Sequence, residues 1–191
     1  ALPIFQPLGA LTALISSRQS TQGLEFRDPT ETILHYYDEV RAQSDGLIVL
    51  AHIGTEDNGP YKGLRSVAQE LIDAGKPVDL IIAGHQHVPL IWPVRVGDTR
   101  ILEAGFHGRW LGRADLTIDP AAKSITLDEY RLLSINDRLP ADPDAAARVA
   151  YWAGMLGPEI DQPVGTTNVS LRRNYNGESN LGNLVADGML R

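Results

Sequence analysis

Apolar residues at positions 33, 34, 37 and 40 recur at the spacing of one helical face, and this predicts a first helix. Asp28-Pro29-Thr30-Glu31 marks its start: an aspartate that can cap, a proline suited to the first turn, and a glutamate that completes a capping box. After the polar turn Ser44-Asp45-Gly46, the short run Leu47-Ile48-Val49-Leu50-Ala51 reads as a strand buried on both faces. A loop containing glycine and asparagine, residues 54–63, leads to a second helix. There Leu64, Val67, Ala68, Leu71 and Ile72 fit the helical template, and Ala74-Gly75 ends it. A second apolar run, residues 78–83, follows at once. Strand, helix and strand with short connections predict a βαβ unit with parallel strands.

Residues 101–104, 110–118 and 124–133 read as consecutive strands, the last two forming a hairpin across Asp119-Pro120-Ala121-Ala122-Lys123. Residues 136–147, rich in Pro, Asp and Ala, form a connector into a helix that carries Val149, Trp152 and Leu156 and is closed by Gly157-Pro158. Strand character over 166–171 and a helix with Leu181, Leu184, Val185 and Met189 are too little to bury a core alone, so they read as the opening of a truncated second domain. The expected organisation is an α/β domain over 1–135, a linker helix over 136–160 and the start of a second domain over 161–191.

Composition changes this picture only at the margins. With 43% hydrophobic and 21% charged residues the chain can bury an ordinary core. A formal charge of −7 offers no basic footprint for a nucleic acid polymer, yet leaves room for a small phosphorylated substrate beside bound metal ions. With no cysteine, disulfides and thiolate ligands are excluded. No apolar run is long enough to predict a membrane span, and no signal peptide is visible in a chain that opens at Ala1.

The candidate chemistry lies in the histidines. His52 follows the first buried strand in Ala51-His52-Ile53-Gly54; His85 and His87 follow the second in Gly84-His85-Gln86-His87. In an extended segment His85 and His87 would project to one face, and a parallel neighbour about 4.8 Å away would bring His52 to the same spot. Ligands gather at the carboxyl edge of a parallel sheet, so three imidazoles there suggest a metal site. His35 reads as an ordinary helix residue. His107 stands as a loop histidine or as a group supporting the site from behind its ligands.

Together these motifs resemble the calcineurin-like metallophosphoesterases, within them the branch of 5′-nucleotidases and 2′,3′-cyclic-nucleotide phosphodiesterases. The resemblance rests on His-x-Gly at residue 52 and Gly-His-x-His at residue 84, each after an apolar strand. It extends to Glu103-Ala104-Gly105 with Gly108-Arg109-Trp110-Leu111-Gly112-Arg113-Ala114-Asp115-Leu116, and to Glu178-Ser179-Asn180-Leu181-Gly182-Asn183. Pro3-Ile4-Phe5-Gln6-Pro7 resembles a segment after the family's Gly-Asn-His motif. The resemblance implies part of a four-layer α/β/β/α sandwich, of which residues 1–135 are the later half, followed by the linker helix and a substrate-binding domain. It further implies two divalent ions, zinc, manganese or similar, with His52 and His85 on one and His87 on the other. A nucleotide or other small phosphoester would be the substrate, Arg172 or Arg173 would approach it, and the setting would be periplasmic or extracellular.

The family's Asp-x-His, Gly-Asp-x-x-Asp and Gly-Asn-His-Glu/Asp motifs do not occur here. Three neutral imidazoles do not offset about four positive charges within roughly 4 Å, and Glu56, Asp57 and Glu103 are the nearby acids on offer. The expectation is therefore a fragment, inactive or nearly so alone, with no catalytic residue of its own identified. Its open sheet edge would be covered by the missing N-terminal half or by self-association. Alternatives are a non-catalytic remnant, a related two-metal hydrolase acting on cyclic nucleotides or sulfur esters, and a mononuclear zinc site built from the three histidines.

Overall fold

The computed structural model describes residue 19 and residues 22–174 and 177–190, without the side chains of residues 158 and 159. The segment around Phe5 with its family-like motif lies outside the described residues. The chain divides into two compact units, Ala1–Leu139 and Pro140–Arg191.

In the first unit, helix α1 (Pro29–Ala42) is capped as its sequence predicts, Asp28 accepting from the amides of Thr30 and Glu31. Strand β1 (Ile48–Leu50), helix α2 (Leu64–Asp73) and strand β2 (Leu80–Ile82) form the expected βαβ unit, with Ile48 opposite Leu80 in parallel register. Two further strands complete the sheet, β3 (Val94–Val96) and β4 (Thr99–Leu102), in the order β1-β2-β4-β3. β4 runs parallel to β2, and β3 pairs antiparallel to β4. The sequence reading missed β3, a three-residue edge strand too short to show a period, and placed β4 two residues too far along.

Val49, Ile81 and Ile101 are register partners across three strands and are fully buried. Ile33 and Tyr37 of α1 and Leu64, Val67, Ala68 and Leu71 of α2 join them in one core, so both helices cover the same face. Each large side chain withdrawn there contributes about 1.5–3 kcal/mol. The opposite face is covered only in part: Leu80 and Leu102 are buried, but Ile82 is 43% exposed, and Ile48 and Leu50 are only half-buried. The prediction of strands buried on both faces is corrected accordingly, because an apolar run reports what a strand can bury and not what is present to cover it.

The hairpin β5 (Trp110–Asp119) and β6 (Ser124–Ser134) forms its own two-stranded sheet, with a register shift at Asp115 and Leu116. Asp79, just before β2, fastens it to the parallel sheet. One carboxylate oxygen accepts from Ile125 N at 3.0 Å; the other accepts from Leu47 N at 2.7 Å and pairs with Arg41 at 2.9 Å. A single side chain thus joins α1, β1, β2 and β6.

In the second unit, helix α3 (Pro143–Ile160) is capped by Asp142 and runs through Gly157-Pro158 to Ile160. The predicted stop at Gly157-Pro158 is corrected: a proline removes one i→i−4 donor, and near a helix end the backbone tolerates that loss. Residues 166–171 form no strand, since the described residues hold no neighbour for them to pair with. Helix α4 (Asn180–Met189) starts at a Ser179 cap, and Asn180 ties back to Ser170 O and Arg172 N.

Replacing Asp79 with Ala strands two backbone amides and the Arg41 guanidinium. Urea unfolding should show a loss of about 2–4 kcal/mol, against under 1 kcal/mol for the exposed Arg113→Ala.

Candidate functional site

The parallel pairing delivers the first two histidines. Ala51 N donates to Ile82 O at 2.9 Å and Ala83 N to Leu102 O at 2.7 Å, so the ladder continues to the threshold of His52 and of Gly84-His85. The His52 and His85 rings meet edge to face, centroids 5.3 Å apart. A Cβ at position 84 would lie 3.2 Å from His52 Nδ1, so Gly84 gives that ring its room.

His85 and His87 do not reach their places by extended alternation. Both are left-handed, φ 80° and 59°, as is His107 at 55°. These are three of the four non-glycine residues with positive φ among the described residues. Such conformations cost of order 1–3 kcal/mol each and persist only where surroundings enforce them. The ring contacts of His87 are not with the His52–His85 pair. Its ring stacks on Phe106 at 4.9 Å and meets the His107 edge at 5.6 Å, and Arg109 lies over the other aromatic partner, Phe106, at 4.9 Å.

Gln86, between the two histidines, reaches across to the loop after His52. Its Oε1 accepts from Thr55 N at 3.0 Å, and its chain lies so close to Gly54 that a Cβ there would meet it at 2.3 Å. That loop in turn caps α2: Leu64 N donates to Gly54 O and Arg65 N to Thr55 O, satisfying amides the helix leaves open. Glu56 pairs with Arg65 at 2.6 Å, while Asp57 accepts from Gly63 N and Ser66 Oγ. Those two bonds hold the Asp57 carboxyl below its usual range. Two of the three acids flagged by sequence are therefore engaged at the helix start.

Glu103, the third acid, belongs to the site. It follows β4, is 1% exposed, and receives Val88 N at 3.1 Å on Oε1. Burial pushes its carboxyl above the usual range, against the pull of the Val88 and His87 amides and of the His87 and His85 imidazoles. Among the described residues two buried side-chain oxygens lack a hydrogen-bond partner, Glu103 Oε2 and Thr55 Oγ1. Both sit in the loops that carry the histidines. Native interiors rarely leave such atoms unpaired, so orphans in these loops mark a place built for something more than packing.

No protein-family model matches the chain. Curated relatives include endonuclease YhcR of Bacillus subtilis, 26% identical over 90% of this chain and 14% of its own length. The trifunctional nucleotide phosphoesterase YfkN of the same species is 29% identical over 88% of this chain and 12% of its own length. Among solved structures, the Thermus thermophilus sulfate thiohydrolase SoxB superposes with a TM-score of 0.71 at 21% identity, covering 98% of this chain and 33% of SoxB. A 5′-nucleotidase precursor from the same species gives 0.67 at 22%, covering 86% and 35%. The fold is that of the 5′-nucleotidase-type phosphoesterases. The chain spans about an eighth of the length of these two curated relatives, and the mixed α/β architecture expected from its motifs is the one observed.

Within this 5′-nucleotidase-type fold, the sequence-nominated residues separate into groups. His52 and His85 come together, and His87 pairs instead with Phe106 and His107. His35 stays on the exposed side of α1 against Tyr36. Arg172 and Arg173 belong to the second unit, on the exposed loop before α4. Among the described residues no group of three or more His, Cys, Asp or Glu is arranged to hold a metal ion. The two neighbouring imidazoles fit part of a divalent-ion ligand set and do not fit a complete one. Sequence reasoning overlooked Gln86 and Phe106; the short contact at Gly54 and the stacking on His87 have no signature in spacing.

Gln86→Ala should expose the Thr55 amide to solvent exchange and cost about 1 kcal/mol in unfolding experiments. Gly54→Ala should be more costly with Gln86 present than in the Gln86→Ala background, a coupling of about 0.5–3 kcal/mol in a double-mutant cycle. Additive effects would show that the two loops are not latched.

Proposed function

We propose that this chain carries the histidine side of the active site of a metal-dependent hydrolase of nucleotide phosphoesters. The supporting observation is the convergence of His52 and His85 at the carboxyl edge of a parallel sheet, with one orphaned side-chain oxygen on Thr55 in the His52 loop and another on Glu103 just after β4. A nucleotide phosphoesterase among the relatives supports the substrate class, and a charge of −7 favours a small substrate over a polymer.

In this reading His52 and His85 hold one divalent ion, zinc or manganese, and His87 a second, with carboxylates from beyond the described residues completing the set. Such ions, when bound, supply phosphate binding and an activated water for in-line attack. The chain's own residues do the positioning: Gln86 latches the two histidine loops, Phe106 fixes the plane of the His87 ring, and His107 supports its edge. Arg172 and Arg173 offer positive charge to the substrate. Further chain, or a second copy, covers the open edge of β1. A periplasmic or extracellular setting belongs to the same proposal, in keeping with a Listeria monocytogenes cell wall protein among the relatives. Among the described residues no helix is long and apolar enough to cross a membrane.

The test is phosphate release from nucleoside 5′-monophosphates and 2′,3′-cyclic nucleotides with zinc or manganese added. The 191-residue chain alone should stay at background. A polypeptide uniting it with the aspartate motifs should turn over, and His85→Ala should lower that rate by more than the roughly 100-fold typical of an outer-shell partner. Turnover untouched by both His52→Ala and His85→Ala would overturn the proposal.

A further inference from the structure

One aromatic ring at the candidate site is shared. His87 stacks on Phe106 with centroids 4.9 Å apart and planes 17° from parallel, and the Arg109 guanidinium carbon lies 4.9 Å from the same Phe106 centroid. Arg109 and His87 are therefore separated by at most twice that distance. His107 completes the group, its ring centroid 4.8 Å from that of Phe106 and 5.6 Å from that of His87.

The chain reaches this place through a strained turn. His107 and Gly108 are both left-handed, at φ 55° and 66°, and Arg109 N donates to Phe106 O across them at 3.2 Å. On the far side Ile135 N, just after β6, donates to Arg109 O at 2.9 Å, so the main chain of Arg109 is fixed from both directions. A glycine at position 107 would avoid the strain that a histidine bears there. The turn tolerates that strain and keeps an imidazole beside the shared ring.

Arg109 differs from its neighbours in what its donors meet. Arg27, Arg41, Arg65, Arg113 and Arg131 pair with carboxylates, and Arg100 donates to main-chain oxygens. Among the described residues no oxygen accepts from the Arg109 side chain, and its guanidinium is held over a ring instead. Attraction to the ring's quadrupole uses no acceptor. The planar fork of N–H donors stays available, and that fork matches the oxygens of a phosphate or a carboxylate. The acids nearby do not compete for it: Glu56 and Asp57 are engaged at the start of α2, and Glu103 is buried. On a chain of formal charge −7, the groups exposed around Phe106 are thus two imidazoles and one guanidinium.

We infer that Arg109, mounted on Phe106 beside His87, is an oxyanion-binding residue whose ligand is a phosphate group. Phe106 is the platform that keeps the guanidinium next to the imidazoles, and the donor fork takes the phosphate oxygens. The ligand class rests on the proposed phosphoester chemistry, but the binding is read without metal and without turnover.

The experiment follows the arginine Nε–Hε and imidazole signals of the 191-residue chain by proton–nitrogen correlation as inorganic phosphate is added at fixed pH and ionic strength. The Arg109 signal should move and saturate, together with those of His87 and His107. Adenosine 5′-monophosphate should do the same and adenosine should not. Arg109→Lys keeps the charge and loses the fork, and should weaken phosphate binding by roughly tenfold. Phe106→Leu removes the platform and should weaken it as well. Because Arg109 is exposed, Arg109→Gln should leave the resonances of Val49 and Ile81 in place while the saturable response at His87 and His107 disappears. Phosphate affinity unchanged in Arg109→Gln would overturn the inference. So would a response that is equal at Arg109 and at the exposed Arg138 and does not saturate, or one confined to His52 and His85. A failed hydrolysis assay leaves a positive binding result standing, and the reverse holds as well.

Discussion

Everything at the candidate site depends on the parallel pairing of β1 with β2. That ladder fixes how far each strand runs before it must turn, and so places residue 52 and residue 85 side by side at one edge. The pairing is held by burial chiefly on one face: Val49, Ile81 and Ile101 lie in the core with α1 and α2, without exposure. At the opposite end of the sheet, Asp79 ties the strands to α1 and to the hairpin with one carboxylate. The rigid amino edge and the chemically equipped carboxyl edge are two ends of the same short strands.

Strain at the functional edge is balanced by local contacts. Left-handed residues at 85 and 87 are enforced by Gln86, which reaches the His52 loop, and by Glu103, which holds the main chain beyond His87. The His52 loop is itself anchored, because its carbonyls cap α2 and its acids pair at the helix start.

Much of the fold was legible in the sequence. Helical spacing from Ile33 to Val40 and from Leu64 to Ile72, with Asp28 and Gly75 as punctuation, located both helices, and two apolar runs located the parallel strands. What escaped was set by tertiary context. β3 is three residues long, the helix through Pro158 needed only one spare bond, and residues 166–171 had β-forming side chains but no partner. At the site, spacing brought His52 beside His85, as observed, and led to His87 by a route the backbone does not take. An i, i+2 argument assumes extended backbone, and the turn at Gln86 is not extended. The roles of Glu103 and Phe106 could not be read, because they arise where a third strand and its following loop return to the first two.

The central proposal is that a divalent ion reaches His52 and His85 together and His87 apart from them, while His35 takes no part. Paramagnetic broadening of the four imidazole signals by substoichiometric manganese measures this directly. The account predicts that His52 and His85 broaden together at the lowest manganese, that His87 follows, and that His35 stays sharp. Broadening of His35 in step with the others, or of His52 without His85, would contradict it.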